Sequence, residues 1–243
     1  MASVVWDRDV ADSYEIAAAA MFDPAVVDPV VDALADLAAG GPALEFAIGS
    51  GRIALPLAAR GVRLSGIELS PHMLAVLRAK DGAAAITAVL GDMKATRLGG
   101  DFSLVYLVFN TIMNVTTQDE QVAVFQNAAA HLRRGGRFVV EVIVPQVHRV
   151  AAGAPGLVSD LGDEHVGIDT FEDVDSQITW SHHWTRIDGR WLRHSAPYRY
   201  VWPAELELMA RLTGFRTSQR WSDWTRRAFA PDSPSLIAVF EKG

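Results

Sequence analysis

The chain has 243 residues, half of them hydrophobic, a formal charge of −7 and no cysteine. That length buries a sizeable core without covalent staples, and the lack of cysteine excludes disulfides, thiolate zinc sites and thiol nucleophiles while fitting a cytoplasmic setting. The acidic balance argues against nucleic acid as the main partner; the first nine residues do not read as a leader peptide, and no apolar run nears the roughly 18 residues of a membrane span.

In chain order, the first forty residues predict two helices. One covers about Val10 to Met21; the other opens with Pro24 in its first turn after Asp23 and stops at Gly40-Gly41. Strands are expected at Ala43–Ile48, Val62–Ile67, Ala85–Leu90, Phe102–Val108 and Arg137–Val144, each apolar enough to be buried on both faces, as parallel strands between helical layers must be. The helices between them carry readable ends. Ser70-Pro71 supplies an N-cap and a first-turn proline for a helix ending near Asp81-Gly82. Thr117 to Glu120 has capping-box spacing and opens a helix that Gly135-Gly136 should close. Pro56 restricts the start of the helix after the glycine turn to the neighbourhood of Gly51.

The last third reads differently. Ala151 to Ser176 is the least periodic stretch and is taken as a surface insertion. Ile178–Ile187 and Arg190–Val201 flank Asp188-Gly189, a strong hairpin signal. Pro203–Thr213 reads as a helix stopped by Gly214, and Ser235–Glu241 as a closing strand. The expected fold is α/β: a Rossmann-like doubly wound sheet, mostly parallel with an antiparallel C-terminal strand, helices on both faces and an inserted β-hairpin. One domain is expected, with a helical cap (1–41), a ligand-binding core (42–150), the insertion and hairpin (151–202) and a C-terminal helix and strands (203–243).

The chemistry concentrates where the first two strands end. Glu45 lies inside the first strand, Gly49 and Gly51 form the turn after it, and Glu68 ends the second strand. Glycines admit a ligand close to the backbone, and a carboxylate at the tip of the next strand can accept hydrogen bonds from both ribose hydroxyls. Gly49-Ser-Gly-Arg-Ile-Ala54 also fits the Gly-x-Gly-x-x-Ala dinucleotide fingerprint, and an ordinary strand-to-helix turn would look the same. Three features favour a sulfonium nucleoside, S-adenosyl-L-methionine, over a dinucleotide. Glu45 is placed to help hold the aminocarboxypropyl end. Asp92 after the third strand is placed to accept from an adenine amino group, with Met93 against the ring. The terminal helix, strand, loop and strand match the antiparallel C-terminal hairpin that sets methyltransferase sheets apart. The Tyr-x-x-x-Lys proton donor expected of an NAD(P)-dependent oxidoreductase is absent.

From about Tyr14 onward the chain resembles the small-molecule branch of class I S-adenosylmethionine-dependent methyltransferases, which includes sugar-amine N-methyltransferases. The likeness rests on Glu45–Arg52, Gly66–Leu74, Gly91-Asp-Met93, Phe109–Ile112, Leu132–Arg137 and Tyr200-Val-Trp-Pro203. It implies that Gly49 and Gly51 lie against the methionine part of the ligand and that Glu68 takes the ribose. Leu69 and Met73 would flank the adenine, and Asp92 and Met93 would finish its pocket. Phe109 and Asn110 would face ligand and acceptor, Tyr14 would close over the site, and Arg52 would end the glycine motif. Ala47 stands where the family usually has glycine; its methyl is compatible with β or αR backbone angles and narrows the space for the amino-acid end. The activity implied is methyl transfer to N or O of a small-molecule acceptor. A non-catalytic S-adenosylmethionine-binding protein is the alternative that Ala47 keeps open.

A catalytic residue is not fixed by the motif, because the electrophile is already activated and the protein supplies mainly alignment. Base candidates are His182, His183 and His194 on the hairpin; Asn110 and Asn114 could orient an acceptor amine or hydroxyl. A two-residue turn sets His183 opposite His194 and Trp184 opposite Arg193 on the other face, so the hairpin either overhangs the pocket or packs as a sheet or homodimer contact. These histidines do not share one face, and no metal site is expected.

Overall fold

A computed structural model describes residues 8–145 and 154–243. Its frame is a seven-stranded sheet in the order β10-β11-β5-β4-β1-β2-β3. The strands are β1 (Ala43–Phe46), β2 (Leu64–Glu68), β3 (Thr87–Leu90), β4 (Phe102–Leu107), β5 (Leu132–Ile143), β10 (Phe215–Trp221) and β11 (Ser235–Lys242). The first five are parallel; β11 runs antiparallel between β5 and β10. β1 and β4 carry no exposed residue, as the unbroken apolar runs require, because helices cover both faces. One layer packs α5 (Gln118–His131) and α6 (Pro203–Leu212) on Phe46, Val105, Leu107, Phe138 and Phe240. The other packs α2 (Pro24–Ala38), α3 (Ala54–Ala59) and α4 (Pro71–Arg78) on Ala43, Leu104, Val139 and Val239. α1 (Arg8–Ala17) precedes them, and among the described residues no helix is long and apolar enough to cross a membrane.

The expected caps form. Asp23 accepts from the Ala25 N–H at 2.8 Å, Ser70 from Met73 at 3.2 Å and Thr117 from Glu120 at 3.3 Å. One stop differs from expectation. α5 ends at His131, four residues before Gly135, and the chain passes directly into β5, where Leu132 pairs with Phe102. The Gly135-Gly136 pair instead bends the strand, with Gly135 at φ +70°.

The insertion is larger than a hairpin. β6 (Gly156–Leu161), β7 (His165–Asp173), β8 (Ile178–Ile187) and β9 (Arg190–Arg199) make a separate four-stranded antiparallel sheet. The stretch read as irregular from 151 therefore supplies two strands, its first three residues lying outside the described ones. Asp188 and Gly189 turn at φ +50° and +74°, and the register sets His183 opposite His194 and Trp184 opposite Arg193, as the two-residue turn demands.

A buried polar knot ties this sheet to the frame. Arg199, at the end of β9, donates to Gln121 Oε1 at 2.6 Å, Gln177 Oε1 at 3.0 Å and Glu205 Oε1 at 2.6 Å. Gln121 in turn donates to the carbonyls of Ile112 and Val115, both at 3.1 Å, pinning the short helical turn Thr111–Asn114. Burial raises the Glu205 carboxyl pKa, but hydrogen bonds from Arg199, Gln177 and Gln118 outweigh it and leave the group below its usual range. The pair is 5% and 11% exposed, so removing one partner strands a charge in a site closed to water. We expect Glu205→Gln to cost about 3 kcal/mol. Because the Glu205 pKa is depressed on folding, its stabilisation is present above the unfolded carboxylate pKa and is lost as pH falls through the folded value. Thermal denaturation across acid pH checks both points: the variant should melt lower at neutral pH and lose part of the wild-type acid dependence.

Candidate functional site

The carboxyl ends of β1, β2 and β4 open onto two adjoining cavities. The larger, of about 730 Å³, lies between these strand ends and the inner face of the four-stranded sheet. The smaller, of about 250 Å³, sits over the end of β3. Ala47, Glu68, Thr111 and Asn114 line both and so mark the passage between them.

Glu68 anchors that passage. Its Oε2 accepts from the Gly49 N–H and its Oε1 from the Ser70 N–H, both at 2.8 Å. Burial raises its pKa, and those backbone donors hold it down in part. With Leu69 as a third backbone donor, the carboxylate keeps part of its acceptor capacity for a ligand hydroxyl. Around the smaller cavity stand Leu69, Asp92 and Met93; Asp92 accepts from the Lys94 N–H at 2.9 Å and lies 3.5 Å from its ammonium. Tyr14, Gly49, Met73, Phe109 and Asn110 line the larger one. Burial raises the Tyr14 pKa against the opposing charge of Arg52.

Three of the expected contact residues face elsewhere. Glu45 is 4% exposed and accepts from the Tyr106 hydroxyl at 2.8 Å; burial pushes its pKa to about 8, so it is mostly protonated at neutral pH. It lines neither cavity. Gly51, at φ +84°, makes room for packing: a Cβ there would come within 2.4 Å of Leu77 Cδ1. Arg52 donates to the Met21 carbonyl at 3.2 Å and lies 4.9 Å from the Phe109 ring centroid.

The backbone at this edge is strained. Ala47 sits at φ +53°, Phe109 at +58° and Asn110 at +59°. Ala47 thus adopts the left-handed conformation that glycine takes freely, and not the β or αR angles expected from its side chain. Glu141, on β5, holds the other two: its Oε2 accepts from the Phe109 N–H at 2.6 Å, its Oε1 from the Trp224 indole at 2.7 Å, and its carbonyl from the Asn110 N–H at 3.2 Å. Asn110 Oδ1 accepts from Ile143 at 2.6 Å. Sequence reasoning missed Glu141, although a lone acid in the apolar run Phe138–Val142 is the same signal that drew attention to Glu45.

The four-stranded sheet supplies the facing wall. Alternate residues point inward: Asp169 and Phe171 from β7, Thr179, Ser181 and His183 from β8, and Tyr198 from β9, with Tyr200 beyond it. Of the three candidate histidines, His183 alone lines the cavity; burial and then the His165 charge lower its pKa. His182 occupies the outer face between Trp180 and Trp184, bonded to Ser195 at 2.8 Å, and His194 pairs across from His183 without lining the cavity. Trp180 and Trp184 are therefore not pocket walls. Among the described residues no cluster of His, Asp or Glu could hold a metal ion.

Residues 43–136 match the family described as a methyltransferase domain. The CcbJ methyltransferase of Streptomyces caelestis is 33% identical in sequence, with a TM-score of 0.79 over 88% of each chain. The chain belongs to the class I S-adenosylmethionine-dependent methyltransferases. Over 84% of both chains this methyltransferase is also 24% identical to the cypemycin N-terminal methyltransferase of a Streptomyces species. A 98-residue segment, 40% of this chain and 38% of the relative, is 36% identical to the dTDP-3-amino-3,6-dideoxy-alpha-D-glucopyranose N,N-dimethyltransferase of Streptomyces fradiae. The nicotinamide reading of the glycine turn lapses with this membership, and S-adenosylmethionine is the cofactor.

The residues present suit that cofactor. Asn114 Oδ1 is buried at the passage with no hydrogen-bond partner among the described residues, an acceptor that a polar ligand would satisfy. The larger cavity alone lies within the ~300–1,000 Å³ of small-molecule sites. Ala47 gives a direct check on the strained edge. A left-handed alanine costs about 1–2 kcal/mol, partly offset by the greater unfolded-state freedom of glycine, about 0.4–1 kcal/mol. Ala47→Gly should therefore stabilise the protein by roughly 0.5–1 kcal/mol in denaturant melts and leave cofactor affinity equal or better. A loss of stability would mean the methyl makes a contact worth more than the strain.

Proposed function

We propose that this methyltransferase acts on the amine nitrogen of a small molecule of the amino-sugar or peptide-amine kind, with the nucleoside in the smaller cavity and the acceptor in the larger. The observation that carries the reading is the Asp169 carboxylate. It stands on the inner sheet face among Phe171, Tyr198 and Tyr200, and the Ser181 hydroxyl donates to it at 2.6 Å. Burial, with the Asp169 charge next in importance, pushes the Tyr198 hydroxyl to about 12. A carboxylate on a wall that also carries aromatic side chains draws in and orients an ammonium and gives a neutral hydroxyl no such advantage. The two relatives named above, an N-terminal methyltransferase and an N,N-dimethyltransferase, act on nitrogen.

In this reading Glu68 receives the ribose hydroxyls while its other lone pairs keep Gly49 and Ser70 in place. Leu69, Asp92 and Met93 surround the adenine, Met73 stands on the larger cavity's side of it, Ala47 and Gly49 border the amino-acid end, and Tyr14 covers the opening. S-adenosylmethionine supplies an activated methyl group. The protein's residues contribute alignment of the acceptor nitrogen, exclusion of water and an acceptor for the released proton.

The test is S-adenosylhomocysteine release on matched panels of primary amines, secondary amines and alcohols. Amines should turn over and alcohols should not. Asp169→Asn should raise the acceptor KM by roughly tenfold, about 1.4 kcal/mol, with cofactor affinity unchanged by calorimetry. Turnover confined to alcohols, or an acceptor KM indifferent to Asp169, would sink the reading.

A further inference from the structure

Behind Asp169 the inner sheet face carries a continuous line of polar contacts to the surface. Ser181 Oγ lies 2.6 Å from Asp169 Oδ1 and 2.9 Å from His183 Nε2. His183 Nδ1 lies 3.1 Å from His165 Nε2, with the ring centroids 5.1 Å apart and the ring planes inclined by 21°. His165 Nδ1 lies 2.6 Å from Asp160 Oδ2, and the Asp160 side chain is 60% exposed. The register brings these groups together from three strands: β6 contributes Asp160, β7 His165 and Asp169, and β8 Ser181 and His183.

Counting protons shows what the line does. Each of its four contacts needs one hydrogen between the partners. The Ser181 hydroxyl and two neutral imidazoles supply one each, and ionised carboxylates supply none, so one more proton completes the line. With that proton on Asp169, the carboxyl donates to Ser181, Ser181 to His183 Nε2, His183 Nδ1–H to His165 and His165 Nδ1–H to Asp160. With the proton on His165, every donor reverses except the last: His165 donates at both nitrogens, His183 donates through Nε2–H to Ser181, and Ser181 donates to Asp169. The two arrangements differ only by a shift of one hydrogen along each of the first three links. Passing from the first to the second carries a proton from the cavity wall to a solvent-exposed ion pair.

We propose that Asp169, Ser181, His183, His165 and Asp160 form a proton-exit line that discharges the methylated amine into solvent. The proposal rests on the amine reading above. On methyl transfer a C–N bond forms, the C–S⁺ bond breaks, and a neutral sulfide leaves; a primary amine becomes a secondary ammonium bearing one proton too many for a second attack. His165 first gives its proton to water beside Asp160, Asp169 then accepts the ammonium proton, and the line shifts it outward to restore the proton on His165. Asp169 is the group that meets the acceptor; His183, His165 and Asp160 act through it. The charged and titratable groups facing His183 are His165 and Asp169 from β7, Asp160 from β6 and His194 from β9. The line thus fits an enzyme that methylates one nitrogen repeatedly, where each round must start from an unprotonated amine.

Two measurements test this. The first is ¹³C and ¹⁵N NMR of the ligand-free protein at about pH 6.5, near the imidazole range. It should find His165 protonated on both nitrogens, with His183 as the Nε2–H tautomer and Asp169 ionised. The second is turnover against pH with a primary amine. His165→Asn should slow it by about 10- to 100-fold at that pH, with acceptor and cofactor KM within about twofold and added imidazole restoring part of the rate. The deficit should close as pH rises and free amine becomes abundant. Two neutral imidazoles beside an ionised Asp169 would overturn the line, as would a His165→Asn profile parallel to the wild type. If no amine is turned over, the acceptor reading fails, and the NMR result still decides whether the line holds its extra proton.

Discussion

Carboxylates that accept backbone N–H groups shape the whole working edge of this protein. At the carboxyl end of a parallel strand the chain must leave the sheet, and its N–H groups lose their ladder partners. Glu68 takes up those of Gly49 and Ser70, and Glu141 takes up that of Phe109. Each acid sits on a strand near the turn it holds, so the turn geometry is set by the sheet itself. That support is what lets Ala47, Phe109 and Asn110 remain at positive φ, a conformation that bulky residues do not keep without a fixed frame. The passage between the two cavities is therefore held by the same hydrogen bonds that maintain its strained backbone.

The second requirement is a wall opposite that edge, and the four-stranded sheet provides it. Its attachment depends on Arg199, whose guanidinium meets Gln121, Gln177 and Glu205 at once. Gln121 also pins the turn carrying Thr111 and Asn114, so a single buried knot fixes the sheet and the passage together. The inner face can then be polar without loss of stability, because its Asp, Ser and His side chains bond to one another along the strands. A line of hydrogen bonds one proton short of complete is also a path for that proton.

Much of this was legible in the residues. Unbroken apolar runs located the parallel strands, Asp23, Ser70 and Thr117 marked their helix starts, and Asp188-Gly189 fixed the hairpin register to the residue. What escaped has physical causes. β6 and β7 hide because their cavity-lining face mixes polar Ser159 and Asp169 with Leu157, Val158 and Phe171, which breaks the apolar alternation that marks a strand packed on a core. Gly135-Gly136 looked like a helix stop but bends β5, since pairing with β4 begins before the glycines are reached. In the site, Glu45 and Glu141 are both lone acids on apolar strands, and only side-chain direction separates them. One turns into the core toward Tyr106 and the other toward the strained turn. The conformation of Ala47 was hidden because residue type alone argues against it.

The central claim is a division of labour: the nucleoside in the smaller cavity beside Leu69, Asp92 and Met93, and the acceptor in the larger one before Asp169. A crystal structure with S-adenosylhomocysteine tests it most directly. The adenine should lie between Leu69 and Met93 and the ribose hydroxyls on Glu68, and the Asn114 carbonyl oxygen should be satisfied, with the face of Asp169, Ser181 and His183 left open to solvent or acceptor. Density for the nucleoside against that face, or a ribose that does not touch Glu68, would contradict it.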